Sequence, residues 1–175
     1  MLGFIKCWSK EFNDPYVLKS LYSCLVRPNL EYASQVWSPF YEVHIKRIEA
    51  VQRNFLRFSL RNLHWSNPLI LPPYEHRLNL IQLKTLKLRR EVADVIFLTE
   101  VVKGNICSPQ ILNNINVNSN NRLRNTNLFT LSFHRTNYGN YEPIHRMLLM
   151  GNKHKNNIDF ILSKQTQKPK LYTRK

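Results

Sequence analysis

Apolar positions along the first hundred residues recur at helical spacing and are broken by proline, glycine and polar clusters. Val17, Leu18, Leu21, Tyr22 and Leu25 mark one face of a helix. Asn13-Asp14-Pro15 opens it, because the Asp14 carboxylate can accept from free first-turn amides and Pro15 suits a position that needs no amide donor. Pro28 is expected to stop it. A short helix from about 29 to 37 follows, carrying Leu30, Ala33, Val36 and Trp37, and Ser38-Pro39 separates it from a longer helix over about 41–61.

Residues 62–73 contain Pro68, Pro72, Pro73 and Trp65 and read as irregular. A short helix is predicted over 74–81 and a longer one over 84–102, stopped by Gly104. Val92, Ala93, Val95, Ile96, Phe97, Leu98, Val101 and Val102 surround the longer helix on most sides, so it should be buried or pressed against a partner. Residues 113–127 include eight asparagines and read as a linker. Leu128–Phe133 alternates weakly as a short strand would, and a short helix begins near Pro143. Residues 153–175 form a basic tail in which 164–175 are expected to be disordered. The fold class is therefore all-α: a small helical bundle with an irregular, Asn-rich, basic C-terminal region. The segments expected are 1–61, 62–112, 113–127, 128–152 and 153–175.

Charge changes the picture. Lys and Arg number 26 against 11 Asp and Glu, a formal net charge of +15. Residues 1–100 contribute +5 and residues 101–175 contribute +10. A surplus of that size is commonest in proteins that meet polyphosphate. In the helix over 41–61, Lys46, Arg53, Arg57 and Arg61 fall within about a quarter of the helix surface, with Ile48, Val51, Phe55 and Phe58 expected on the opposite side. Glu42 and Glu49 are placed at the margin of the stripe or before it. Three arginines four apart repel one another unless an anion is near, so phosphate contact is the functional reading and a solvated helix face the plain one.

The other candidate chemistry is thin. Cys7, Cys24 and Cys107 are odd in number and far apart, and the six histidines are scattered, which supports neither a disulfide framework nor a zinc site. An intracellular, reducing compartment is the easier reading. No apolar run approaches the roughly 20 residues of a membrane helix. Asp14, Asp94 and Asp159 are the only aspartates and none are adjacent, so the clustered carboxylates that two-metal phosphoryl transfer requires are missing. The expectation is a chain that is not an enzyme by itself and has neither a cofactor nor a small-molecule substrate. Trp37 and Trp65 are candidates for base stacking, with a place in the core as the plainer alternative.

A series of phrases in fixed order adds a resemblance. Gly3-Phe4-Ile5-Lys6, Leu25-Val26-Arg27-Pro28, Leu30-Glu31-Tyr32, Val36-Trp37-Ser38-Pro39, Arg47-Ile48-Glu49-Ala50-Val51-Gln52, residues 78–90 and Arg135-Thr136-Asn137-Tyr138-Gly139 resemble the region downstream of the polymerase core in jockey-like non-LTR retrotransposon reverse transcriptases. The resemblance implies a thumb and its extension, which grip the template-primer duplex, with the fingers and the palm lying elsewhere. Any Mg2+ would belong to that palm. It also implies that Met1 enters the pattern in mid-phrase, as a start within a longer ancestral frame would. The implied partners are the RNA/DNA template-primer backbone and the missing fingers-palm portion of the same polymerase. Arg53, Arg57 and Arg61 are expected to contact phosphates with Lys46 and Arg47 in support. Lys84, Lys87, Arg89 and Arg90, with Arg122, Arg124 and Arg135, would extend the track. The alternatives are a helical protein-interaction module, or a truncated relic without function.

Overall fold

The computed structural model describes residues 1–9, 11, 14–61, 72–118 and 127–155. The chain is mostly helical, and the extended pairing among these residues is a single antiparallel bridge between Val117 and Phe129. Two compact units divide between Ala93 and Asp94, inside the seventh helix. Trp65, Arg122, Arg124 and the tail from residue 156 lie outside the described residues.

The first unit begins with α1 (Leu2–Trp8) and α2 (Pro15–Leu21). Asp14 caps α2 as expected, its Oδ1 accepting from the Tyr16 amide at 2.8 Å. The helix does not stop at Pro28. It widens into a π-turn over Tyr22–Val26 and continues as α3 (Arg27–Glu31). A proline ring collides with the carbonyl four residues back in a regular helix. The wider turn, in which the Arg27 amide reaches the Tyr22 carbonyl, makes room for it.

Ala33, at φ 49°, then breaks the chain before α4 (Ser34–Trp37), so the expected helix over 29–37 is two pieces. The Trp37 indole donates to the Tyr32 carbonyl at 2.6 Å and the side chain stays partly exposed.

The long helix α5 (Glu42–Ser59) is turned on its axis relative to the expected orientation. Its buried residues are Ile45, Glu49, Gln52, Phe55, Leu56 and Ser59, while Ile48, Val51 and Phe58 are only partly covered. Glu49 is therefore interior and not at a solvent margin. A polar network produces this rotation. Gln52, fully buried, accepts from the Tyr22 hydroxyl at 3.0 Å and donates to the Tyr74 hydroxyl at 3.2 Å and the Lys84 carbonyl at 2.9 Å. Glu49 accepts from the Tyr74 hydroxyl at 2.6 Å and from the Lys87 amide at 2.9 Å. Burial, then the nearby carboxylates, raise the Tyr22 phenol above its ordinary range, and burial with the Glu49 hydrogen bond does the same to Tyr74. Both are held as neutral donors.

α6 (Tyr74–Ile81) follows and ends at Gln82 in the left-handed region, φ 55°. Ile5, Leu18, Tyr22, Val26, Phe55, Leu56, Leu60, Leu78, Ile81 and Leu83 form one core, with Tyr22 and Phe55 stacked at 4.2 Å between ring centroids. Residues on either side of position 61, which the sequence reading put in different segments, thus share one interior.

α7 (Leu86–Val102) starts at Thr85, whose hydroxyl accepts from the Leu88 amide, and ends at Gly104 with φ 78°. In the second unit its Val95, Leu98 and Val101 pack with Ile115, Phe129, Met147 and Leu148. Of the apolar residues expected to surround α7, Val92 and Ile96 are exposed and Ala93, Phe97 and Val102 are half-buried, so the described residues leave one stripe of the helix open. The remaining helices are α8 (Pro109–Asn113), α9 (Asn137–Asn140) and α10 (Pro143–Lys153).

The expected strand over 128–133 reduces to the bridge at Phe129, where Asn118 donates to the Leu128 carbonyl at 2.8 Å and Thr130 to the Asn116 carbonyl at 2.9 Å. The Asn152 side chain in α10 clamps Phe129 by accepting from its amide at 2.8 Å and donating to its carbonyl at 2.9 Å. Both backbone groups of a buried residue are satisfied by one side chain.

α10 comes close to this core at Gly151, where an added Cβ would sit 2.7 Å from Leu98 Cδ2 and 2.9 Å from Phe129 Cε2. Alanine is the better helix former by about 1 kcal/mol, but overlap with a rigid ring opposes it. Gly151→Ala is expected to destabilise the protein by about 1–2 kcal/mol net. An undiminished urea midpoint would show that the ring yields.

Candidate nucleic-acid interface

The interface is built on α5. The Tyr22–Phe55 stack and the Gln52 and Glu49 hydrogen bonds fix the helix about its axis. The same constraints leave Lys46, Arg47, Arg53 and Arg57 exposed. Among the described residues none of these four forms an ion pair with a carboxylate. The stripe adjoins the buried face and is not opposite it, because the helix is turned toward Glu49 and Gln52. Arg53 therefore lies beside α6, its guanidinium over the Tyr74 ring, 5.0 Å from the centroid.

The other expected contacts divide by how each cation is already used. Arg61 follows the end of α5 and, though exposed, folds back on its own unit, with its guanidinium 4.1 Å over the Phe58 ring and its Nη2 donating to the Ser9 carbonyl at 3.3 Å. It belongs to the unit's own packing and leaves the stripe. Lys87 pairs with Glu42 at 3.4 Å on the surface, a contact of small energetic weight. Arg89 makes a bidentate contact with Glu31, Nε to Oε1 and Nη2 to Oε2 at 2.9 Å. That hydrogen bonding raises the Arg89 pKa despite partial burial. Arg90 is buried. The basic start of α7 is thus largely spent on internal carboxylates and burial, and Lys84, just before the helix, stands exposed without an acid partner among the described residues. Arg135 is exposed in the second unit.

Sequence reasoning missed Arg77. It lies on α6, is 6% exposed, and its Nε and Nη1 are buried without a hydrogen-bond partner among the described residues. Its position was visible: Tyr74, Arg77, Leu78 and Ile81 share one helical face, and an arginine on an apolar face is the informative exception.

Two histidines expected to be scattered also come together. The His134 and His145 rings meet edge to face at 5.0 Å, beside a polar cavity of about 290 Å3 lined by Asn114, Ser132 and Glu142 among others. Burial, then His134, hold the His145 pKa below its ordinary value. Among the described residues no group of three or more His, Cys, Asp or Glu side chains is arranged to hold a metal ion. Nor is any helix among them long and apolar enough to cross a membrane.

No protein-family model, curated protein or solved structure matches the chain.

Proposed function

We propose that the chain is a non-catalytic, thumb-like part of a jockey-like non-LTR retrotransposon reverse transcriptase, and that it binds the template-primer backbone through α5. The observation carrying the reading is the α5 stripe itself. Lys46, Arg47, Arg53 and Arg57 are presented to solvent by a helix locked along its buried face, without a carboxylate paired to them among the described residues. Such a row follows phosphates by charge and needs no base contact. Its rigidity favours a duplex of regular pitch over a flexible strand. The fingers and palm of the same polymerase remain the proposed protein partner. The alternative of a docking helix over 92–102 is weakened by Val95, Leu98 and Val101, which are already buried in the second unit's own core.

Binding of the full chain to an RNA–DNA hybrid, measured by fluorescence anisotropy across a salt series, tests the reading. The double variant Arg53→Gln, Arg57→Gln is expected to reduce the log–log salt slope by about 1.5–2, since each lost phosphate contact removes nearly one unit. Arg61→Gln is expected to leave it unchanged. A wild-type affinity insensitive to salt, or a slope untouched in the double variant, rules the interface out.

A further inference from the structure

Arg77 is an unusual interior residue. A guanidinium has five N–H donors and stays charged under all ordinary conditions. Leaving such donors buried and unmet is costly unless something outside the chain meets them. Around it lie the Tyr74 ring and two more arginines whose charges act on it. Its guanidinium lies 6.0 Å from the centroid of the Tyr74 ring, and Arg53 lies over the same ring at 5.0 Å. Burial first, then Arg57 and Arg53, depress the Arg77 pKa, so the local field is positive. Glu49, which accepts from the hydroxyl of the same Tyr74, is also taken by the Lys87 amide. Among the described residues no acid pairs with any of the three arginines.

We propose that Arg53, Arg57 and Arg77 form a single site for one phosphate group, built between α5 and α6 on the side of the ring of Tyr74. The two exposed arginines draw the anion in, and Arg77, whose Nε and Nη1 are closed off in its absence, turns those donors to its oxygens as it enters. A tetrahedral phosphate, with several acceptor lone pairs and more than one negative oxygen, suits three neighbouring guanidiniums better than a carboxylate, which one arginine saturates. The proposal rests on the preceding reading for the source of that phosphate, a nucleic-acid backbone. A free phosphate or pyrophosphate has the same chemistry, and the test separates them.

Thermal unfolding of the full chain is followed with pyrophosphate against chloride at equal ionic strength, for the wild type, Arg57→Gln and Arg77→Met. In the wild type, pyrophosphate at about ten times its Kd is expected to raise Tm by about 3–6 °C over chloride. The rise is expected to vanish in both variants. Without phosphate, Arg77→Met should be no less stable than the wild type, because the substitution removes an uncompensated buried cation; a purely structural arginine would show the opposite. Because Arg57 is exposed, its variant keeps the test decisive even if Arg77→Met fails to fold. No pyrophosphate effect in the wild type, or an undiminished one in Arg57→Gln, overturns the site. Competition with an RNA–DNA hybrid then identifies the source. Displacement of the hybrid by pyrophosphate assigns the site to the backbone. A pyrophosphate response without any hybrid binding keeps the site and ends the nucleic-acid reading; hybrid binding without a pyrophosphate response does the reverse.

Discussion

Replacing Asp94 with alanine is expected to lower the unfolding free energy by about 3–5 kcal/mol, the usual consequence of removing one partner from a buried ion pair. Asp94 is 2% exposed and accepts from Arg146 Nε at 2.9 Å and from its Nη2 at 3.4 Å, joining α7 to α10 within the second unit. The Arg146 side chain is itself largely buried, so its charge has little access to water once that carboxylate is gone. Two compact units need not unfold in one step, so the effect is best read by hydrogen exchange at the amides of α10 and around Phe129. A loss under about 1 kcal/mol would mean that solvent reaches Arg146 freely. Replacing both residues with apolar ones of similar volume should recover most of the loss, because neither charge is then stranded.

The second large effect is expected at Gln52. Leucine there fills nearly the same volume but withdraws a partner from the Tyr22 hydroxyl, the Tyr74 hydroxyl and the Lys84 carbonyl together. With Tyr22 fully buried, the loss is expected to be about 2–4 kcal/mol, larger than the about 1–1.5 kcal/mol of Tyr22→Phe, which removes one hydrogen bond. A double-mutant cycle between these two changes should show strong coupling, since Tyr22→Phe costs less when Gln52 is already absent. Additive losses would indicate that the hydrogen bond between them is not formed. Because this network sets how α5 is turned, Gln52→Leu should also weaken hybrid binding without touching a cation.

What could be read from the sequence was whatever local chemistry decides. Asp14-Pro15, the spacing of Tyr74, Leu78 and Ile81, Gly104 and Pro143 each act within one or two turns of themselves, and each marks a helix boundary or face in the structure. The orientation of α5 was not legible. Its apolar side chains favour one face, but Glu49 and Gln52 prevail because their partners, Tyr22, Tyr74, Lys84 and Lys87, arrive from other elements 22 to 38 residues away. The same holds for the candidate interface. The count and spacing of cations on α5 were plain, whereas the carboxylates that occupy Lys87 and Arg89 stand 45 and 58 positions earlier in the chain. An inventory of charge shows how many cations exist and not which remain free of internal work.

The widened turn at Tyr22–Val26 has a consequence for sequence periodicity. Leu18, Tyr22 and Val26, all interior, are spaced four apart, and on a regular helix each such step overshoots a full revolution by about 40°. A loop of larger circumference absorbs that surplus and brings the third side chain back into line with the first two. The rhythm of the segment is therefore four rather than 3.6, and deleting one residue there would restore a regular helix with Val26 still on the interior face, seven positions after Leu18, while bringing Pro28 into collision with the carbonyl four residues back.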